Sequence, residues 1–167
     1  VPHFLWPSAQ VLAQFLCHRP SAVAGKRVLE LGAGVALPSL AAAAVGAQHV
    51  TITDRADEPE VLANAAANAA LNGLSHACST RGLTWGEFDE EFLAMATPDV
   101  LLSADCFYSS QHFDALLGTV SWLLRGRGRG VRADGKGGGG GRNSGDAAES
   151  GGSSSVISSV GSAVVYA

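Results

Sequence analysis

The sequence has few of the residues that bind metals or form disulfides. Its three cysteines, Cys17, Cys78 and Cys106, lie far apart and include no C-x-x-C pair, so neither a zinc site nor a redox dithiol is predicted. The five histidines are equally dispersed, and none has the H-E-x-x-H spacing that places two ligands on one helical face. We therefore expect no metal, and the scattered thiols favour a reducing compartment, the cytoplasm or the nucleus.

Long apolar runs and an excess of positive charge are also missing. No segment approaches the roughly 18 apolar residues that cross a bilayer, and no leader pattern opens the chain, so we expect a soluble protein without a membrane partner. The formal net charge of −4 gives no global basic footprint for a nucleic acid. The chain opens with Val1 rather than Met, as a fragment would. By contrast, 47% of its 167 residues are hydrophobic, which is enough for one packed core.

Short apolar strands alternate with helical patterns along the chain. This alternation predicts an α/β fold, with a mostly parallel sheet, right-handed crossovers and helices on both faces. The predicted strands are 28–31, 50–53, 77–83, 99–103 and 160–166. The predicted helices lie between Pro7 and Pro20 and over 38–45, 59–71, 90–95 and 113–124, with Asp57 expected to cap the third of them.

A single domain is predicted for residues 1–167. From Arg125 to Ser155 the composition changes to glycine, serine and arginine with almost nothing apolar, so residues 125–155 are predicted to be a flexible insertion. The Arg-Gly repeat at its start has the composition of a weak RNA-binding segment. A solvated surface insertion is the preferred interpretation, and we assign it no function.

The strongest chemical signal is V-L-E-L-G-A-G at 28–34, where two glycines directly follow a strand. Gly32 and Gly34 let the backbone turn tightly and approach a ligand, while the next helix presents unpaired N–H groups to it. In a dinucleotide site a small residue follows three positions after the second glycine. Leu37 occupies that position here, which argues against NAD or FAD and favours a ligand without phosphates.

Glu30 and Asp54 add acidic groups beside this turn. Glu30 interrupts an apolar strand, and its burial is costly without a partner such as a cationic sulfonium ligand with an ammonium group. The alternative is that Glu30 only forms a cap or pairs with Lys26 or Arg27. Asp54 follows the second strand, twenty residues after Gly34, where it would accept both hydroxyls of a ribose, unless it is only a turn or N-cap residue.

Three further candidates follow later strands. Trp85 ends the third β segment, where its aromatic face would cover an adenine, unless it is only a core residue. Asp105 and Tyr108 follow the fourth strand, at the edge where open α/β sheets place their ligands. A carboxylate and a phenol there would hydrogen-bond a nitrogen nucleophile and aim its lone pair at a methyl group. The alternative is that Tyr108 packs in the core and Asp105 caps the next helix.

Together these segments resemble the seven-β-strand methyltransferases of family 16, the protein-lysine methyltransferase-like group. The resemblance covers about residues 3–124 and 160–166 and rests on four segments, which are W-P at 6–7, L-E-L-G-A-G at 29–34, L-T-W-G at 83–86 and the Asp105 segment. It implies a Rossmann-like fold. Because the family sheet ends in an antiparallel hairpin and this sequence stops at Ala167, the fold is expected to be C-terminally incomplete, with the terminal hairpin missing.

The resemblance also implies the cofactor, S-adenosyl-L-methionine, and its binding residues. The residues that it places around the cofactor are Trp6, Glu30, Gly32, Gly34, Asp54 and Trp85. Glu30 and the two glycines would surround the methionine part, Asp54 would hold the ribose, and Trp85 would flank the adenine. Trp6 would line the same pocket.

Asp105 and Tyr108 match the D-x-x-Y motif that lysine methyltransferases of this group place near the acceptor amine. A family member linked to histone arginine methylation has phenylalanine where Tyr108 stands, so arginine stays open as the acceptor. The Asn-Pro-aromatic motif of DNA-base methyltransferases is absent after the fourth strand, which disfavours a nucleic acid substrate.

The expected function is methyl transfer to a side-chain nitrogen of a protein, lysine before arginine, with a histone or a chaperone as the kind of partner. One alternative is a non-catalytic module of the same fold that acts through protein contacts. A nucleotide-dependent oxidoreductase is a third hypothesis, which Leu37 weakens.

Overall fold

The computed structural model of the chain describes residues 4–90, 93, 97–125, 156–160 and 163–166. For Arg125 and for the last two ranges it describes the backbone alone. Most of the predicted helix 90–95 and, apart from Arg125, the predicted insertion lie outside these residues. No helix of the described ranges is long and apolar enough to span a bilayer.

The described chain forms one sheet with flanking helices. The strands are β1 (Arg27–Leu31), β2 (His49–Asp54), β3 (Cys78–Gly82), β4 (Val100–Ala104), β5 (Val156–Val160) and β6 (Ala163–Tyr166). The helices are α1 (Pro7–His18), α2 (Leu37–Ala44), α3 (Pro59–Leu71) and α4 (Phe113–Arg125), with short 3-10 turns at Pro20–Ala22 and Ser110–His112. The first four strands and these four helices lie within a few residues of their predicted positions.

The sheet reverses its strand order at β1. The order is β3-β2-β1-β4-β6-β5, and β1 pairs in parallel with both β2 and β4, while β2 pairs in parallel with β3. The chain moves outward from β1 to β3 and then returns to the other side of β1, so the carboxyl ends of β1 and β4 flank the reversal. Open α/β sheets bind their ligands at such a point, which places the candidate site after these two strands.

Two apolar layers cover opposite faces of the sheet. The layer beneath α1, α2 and α3 includes Leu12, Leu16, Val28, Ala42, Val50, Ile52, Ala65, Val100 and Leu102. The layer beneath α4 includes Leu29, Leu31, Leu83, Leu101, Leu116 and Leu123. Successive side chains of β1 and β4 face different layers, which is why both strands are apolar on both faces apart from Arg27, Glu30 and Ser103. The predicted α/β architecture with helices on both faces is confirmed.

The end of the sheet differs from the prediction. One strand was expected at 160–166 and no terminal hairpin, whereas residues 156–160 and 163–166 form two strands, and β6 pairs antiparallel with both β4 and β5. The segment V-I-S-S-V at 156–160 escaped prediction because its serines continue the composition of the preceding glycine- and serine-rich stretch. The two-residue Gly-Ser link after it is a hairpin signal.

Helix α3 begins at Pro59 as predicted, but Asp57 does not cap it. The N-cap position is Glu58, which makes no side-chain capping hydrogen bond. Asp57 instead accepts two hydrogen bonds from the Arg55 guanidinium, at 3.0 and 2.7 Å, and these lower the pKa of the Asp57 carboxyl. A proline at the first helical position has no N–H to satisfy and its φ already suits the helix, so α3 starts without the aspartate.

Candidate functional site

The carboxyl ends of β1, β2 and β4 meet at the glycine turn that follows β1. Gly34 in this turn donates its N–H to Asp54 Oδ2 at 2.7 Å, which ties the turn to the end of β2. Leu31 in β1 is in register with Ser103 in β4, so Asp105 follows β4 beside the turn. The structure therefore brings together the turn and the two aspartates that the sequence singled out.

Glycine is required at position 32 for two reasons. Gly32 has a φ of +61°, in the left-handed region that favours glycine. A Cβ built on it would lie 2.8 Å from Cys106 Sγ and 3.3 Å from the Trp85 ring carbon Cζ2. Burial raises the pKa of the Cys106 thiol to about 12, and the thiol donates a hydrogen bond to the Leu31 carbonyl at 3.2 Å. A sulfur atom and an indole ring thus lie against the turn.

A Gly32→Ala variant should lose about 2 to 3 kcal/mol of unfolding free energy, because left-handed strain adds to the crowding against Cys106. Urea unfolding measures this loss. Gly25→Ala is the matched control, since Gly25 has a φ of +70° and a Cβ added to it would meet nothing within 4 Å; it should lose only about 1 kcal/mol. Equal losses at the two positions would contradict the crowding.

Glu30 lies beneath the turn and holds the start of α2. Its Oε2 accepts the N–H of Ser39 at 2.9 Å and the Ser39 hydroxyl at 2.5 Å, and the residue is 1% exposed. Burial raises the pKa of Glu30 to about 8, although the hydrogen bonds from Ser39 act in the opposite direction. Of the alternative interpretation of Glu30, the pairing with Lys26 or Arg27 is wrong, because Arg27 pairs with Asp99 and Lys26 donates to a backbone carbonyl. The capping part of that alternative is confirmed, because Ser39 lies in the first turn of α2 and donates its N–H to Glu30.

Asp54 connects two backbone segments. While its Oδ2 accepts the Gly34 N–H, its Oδ1 accepts the N–H of Arg55 at 2.8 Å. The second bond is the local turn interaction of the alternative interpretation, and the first fixes the glycine turn. The charge of Asp54 also contributes to the raised pKa of Glu30, after burial. The two carboxyl groups therefore share one end of the sheet.

The two tryptophans of the prediction occupy different surroundings. Trp85 is partly buried and packs against the layer beneath α4, and its ring also lies against Gly32, so it is both a core residue and a neighbour of the turn. Trp6 is 47% exposed at the N-cap of α1. Its ring packs edge-on against Phe4, with centroids 4.9 Å apart. Its place in the cofactor pocket stays a prediction.

Asp105 and Tyr108 belong to the segment after β4. Asp105 has a φ of +59°, a conformation that costs a non-glycine residue about 1 to 2 kcal/mol and that clusters at functional sites. The predicted alternatives do not hold. Tyr108 is 69% exposed rather than in the core, and the 3-10 turn that follows has Ser109 at its N-cap, with no side-chain capping bond.

Sequence reasoning missed three residues that build this site. Ser39 holds the Glu30 carboxylate, Cys106 lies against the glycine turn, and the ring centroid of His112 is 6.4 Å from those of both Trp85 and Tyr108. Ser39 had a signal, since a hydroxyl in the first turn of a helix is available to a buried acid that precedes it. The contact of Cys106 with Gly32 and that of His112 with Trp85 depend on the tertiary fold alone.

A cavity of about 490 Å³ lies elsewhere, on the face of the sheet formed by β1, β2 and β3. Its lining includes Arg27, His49, Ser79 and Arg81 and none of the predicted site residues. Within the described ranges, no group of three His, Cys, Asp or Glu side chains is arranged to hold a metal ion. The candidate site is therefore defined by the residues at the carboxyl ends of the strands.

Sequence comparison shows that residues 1–132 match the model of the lysine methyltransferase family. The chain is 40% identical over 121 residues to the histone-arginine methyltransferase METTL23 of Xenopus laevis and 36% identical over 121 residues to that of Homo sapiens. It is 38% identical over 122 residues to the protein N-lysine methyltransferase METTL21A of Danio rerio. These alignments cover 72, 72 and 73% of this chain and 51, 63 and 55% of the relatives, so the chain spans between half and two thirds of their length.

Among solved structures, the chain is similar to an open conformation of Arabidopsis thaliana protein arginine methyltransferase 10. The TM-score is 0.57 at 18% identity, over 68% of this chain and 31% of that one. At this identity the similarity concerns the fold alone, and it agrees with the Rossmann-like fold that the sequence predicted.

Proposed function

The chain belongs to the lysine methyltransferase family, and from this premise we propose that it transfers a methyl group from S-adenosyl-L-methionine to a side-chain nitrogen of a protein. The observation that carries the proposal is the meeting of the glycine turn, Asp54 and Asp105 where the strand order reverses. Open α/β sheets bind their ligands at this point, where residues that follow different strands come together.

The residues of the site fit this cofactor. When bound, S-adenosylmethionine supplies a methyl group on a cationic sulfur, open to in-line displacement. Asp54 and Asp105 place two acidic groups beside the glycine turn, which suits a cation and disfavours a pyrophosphate. Glu30 beneath the turn, whose pKa burial raises to about 8, would ionise more readily once a cation is bound nearby. Asp54 would hold the ribose hydroxyls and Trp85 would flank the adenine, with Trp6, Gly32 and Gly34 completing the pocket.

The amine that accepts the methyl group has to be neutral when it attacks. The ordinary pKa of lysine is about 10.4, so the amine must lose its proton before it attacks. The Asp105 carboxylate would accept a hydrogen bond from the amine, and the exposed phenol of Tyr108 would hold it from a second direction. Together they would aim the lone pair at the methyl group, which is the main requirement for this transfer.

Lysine is the preferred acceptor in this proposal and arginine the second. Tyr108 completes the D-x-x-Y motif, and the relatives include one named for N-lysine methylation and others named for histone-arginine methylation. A histone or a chaperone is the kind of protein substrate that we propose. The three free thiols of Cys17, Cys78 and Cys106 support a reducing location, the cytoplasm or the nucleus.

Calorimetric titration with S-adenosylmethionine and S-adenosylhomocysteine tests the cofactor site. Asp54→Ala should weaken binding by about 10- to 100-fold, since it removes a charged acceptor of hydrogen bonds worth about 1.5 to 3 kcal/mol. Asp57→Ala is the matched control, because Asp57 is an exposed carboxylate three residues away that pairs with Arg55, and it should bind the cofactor as the wild type does.

The same protein, incubated with labelled cofactor and a methyl-poor cell extract, tests the reaction. Mass spectrometry of the labelled acceptor should identify a methylated lysine or arginine. Failure of the wild-type chain to bind either compound would contradict the cofactor assignment. Binding without methyl incorporation into any protein would instead favour the non-catalytic module.

A further inference from the structure

His112 lies between two rings that the proposed function assigns to opposite ends of the reaction. It is exposed and ends the 3-10 turn before α4, with its backbone N–H bonded to the Ser109 carbonyl at 3.1 Å. Its ring centroid is 6.4 Å from that of Trp85, edge-on at 73°, and 6.4 Å from that of Tyr108, tilted at 58°. One imidazole thus contacts the predicted neighbour of the adenine and the predicted neighbour of the acceptor amine.

These contacts continue to the glycine turn. The Trp85 ring lies against Gly32 and packs on the layer beneath α4. The core therefore holds the Trp85 end of the row of three rings, Trp85, His112 and Tyr108. Tyr108 is 69% exposed, so few contacts fix its ring at the other end. Edge-on and tilted aromatic contacts are attractive and directional, and the His112 ring therefore connects a fixed side chain to a loosely held one.

We propose that His112 is a positioning residue whose ring sets the spacing between Trp85 and Tyr108. The inference rests on the proposed function for the roles of these two residues. The ring acts through its shape rather than by accepting a proton. It lies outside the D-x-x-Y motif, four residues beyond its tyrosine, so the motif alone does not identify it.

Three substitutions at this position separate shape from hydrogen bonding. His112→Ala should raise the dissociation constant for S-adenosylhomocysteine and the KM for the acceptor by about threefold to tenfold each, the range expected for lost aromatic contacts. His112→Phe keeps a ring and should restore both values, whereas His112→Asn keeps a hydrogen-bonding group without the ring and should not. His76→Ala removes another exposed histidine and should change neither.

A spectroscopic measurement decides the question without methyl transfer. The fluorine resonance of 5-fluorotryptophan at Trp85, assigned with Trp85→Phe, should shift in His112→Ala and move back in His112→Phe. An unchanged resonance and unchanged cofactor affinity in His112→Ala would overturn the proposal, as would rescue by His112→Asn but not by His112→Phe. The fluorine measurement needs no methyl acceptor. If the chain transferred no methyl group, the proposed function would be contradicted, but the resonance would still show whether His112 positions Trp85.

Discussion

A Glu30→Gln variant should keep nearly constant stability from about pH 5 to pH 8, whereas the wild-type chain should lose stability over that range. Burial raises the pKa of Glu30 from 4.5 to about 8. Between these values the folded chain keeps a proton that the unfolded chain has released, so stability falls as pH rises and the loss is complete above about pH 8. The full difference is on the order of 5 kcal/mol, at about 1.4 kcal/mol per pH unit.

Urea unfolding at several pH values measures the effect. Glutamine is neutral at every pH and keeps an oxygen for the two hydrogen bonds from Ser39, so it stands in for the protonated acid. Glu60→Gln is the control, since Glu60 is an exposed carboxylate in the first turn of α3, and its pH profile should follow the wild type. A wild-type profile parallel to that of Glu30→Gln would show that the carboxylate is not desolvated in the folded chain.

The cost of an ionised Glu30 explains why this acid indicates a functional site. A neutral residue of similar shape would leave the strand more stable above pH 5, and local sequence rules are broken mainly where function compensates for the loss. A cationic ligand near the glycine turn would favour the ionised form and offset part of the burial cost. Glu30 also fixes the start of α2 through Ser39. The same carboxyl group would therefore favour a cationic ligand and hold the helix that follows the glycine turn.

The first four strands and the helices were predictable because each has a local signal. Apolar runs end at Gly32, Asp54 and Asp105, and periodic apolar residues mark the helices. The convergence of the site followed from topology, because parallel strands bring their carboxyl ends to one edge of a sheet. The roles of these residues rest on the family resemblance and stay predictions.

The partners inside the site were not predictable in the same way. Asp57 pairs with Arg55 rather than with the helix N-terminus, and Glu30 binds Ser39 rather than a lysine or an arginine, because the choice among such partners depends on the packed geometry and not on sequence spacing. The aromatic contact between His112 and Trp85 joins residues that are distant in sequence. The terminal antiparallel pair was hidden by composition, since serines weaken the apolar signal of β5.

Asp105→Asn should lower kcat for methyl transfer by about 100-fold, the order of loss expected when a nucleophile is no longer held in line with its target. Cofactor affinity should change by less than about threefold, because the proposal places Asp105 on the acceptor side and not on the cofactor. Asparagine tolerates the left-handed backbone nearly as well as aspartate does, so the φ of +59° is retained and only the charge is lost. Steady-state kinetics with labelled cofactor, together with calorimetry, measure the two quantities.

The comparison with Asp114→Asn makes this result specific. Asp114 is an exposed acid in the first turn of α4, and removing its charge should leave kcat within about twofold of the wild type, as for most surface changes. If Asp105→Asn kept the wild-type kcat, the acceptor amine would have to be held without this carboxylate. If kcat and cofactor affinity fell together, Asp105 would belong with Asp54 on the cofactor side, since a residue that acts only on the acceptor lowers kcat and spares the binding of the methyl donor.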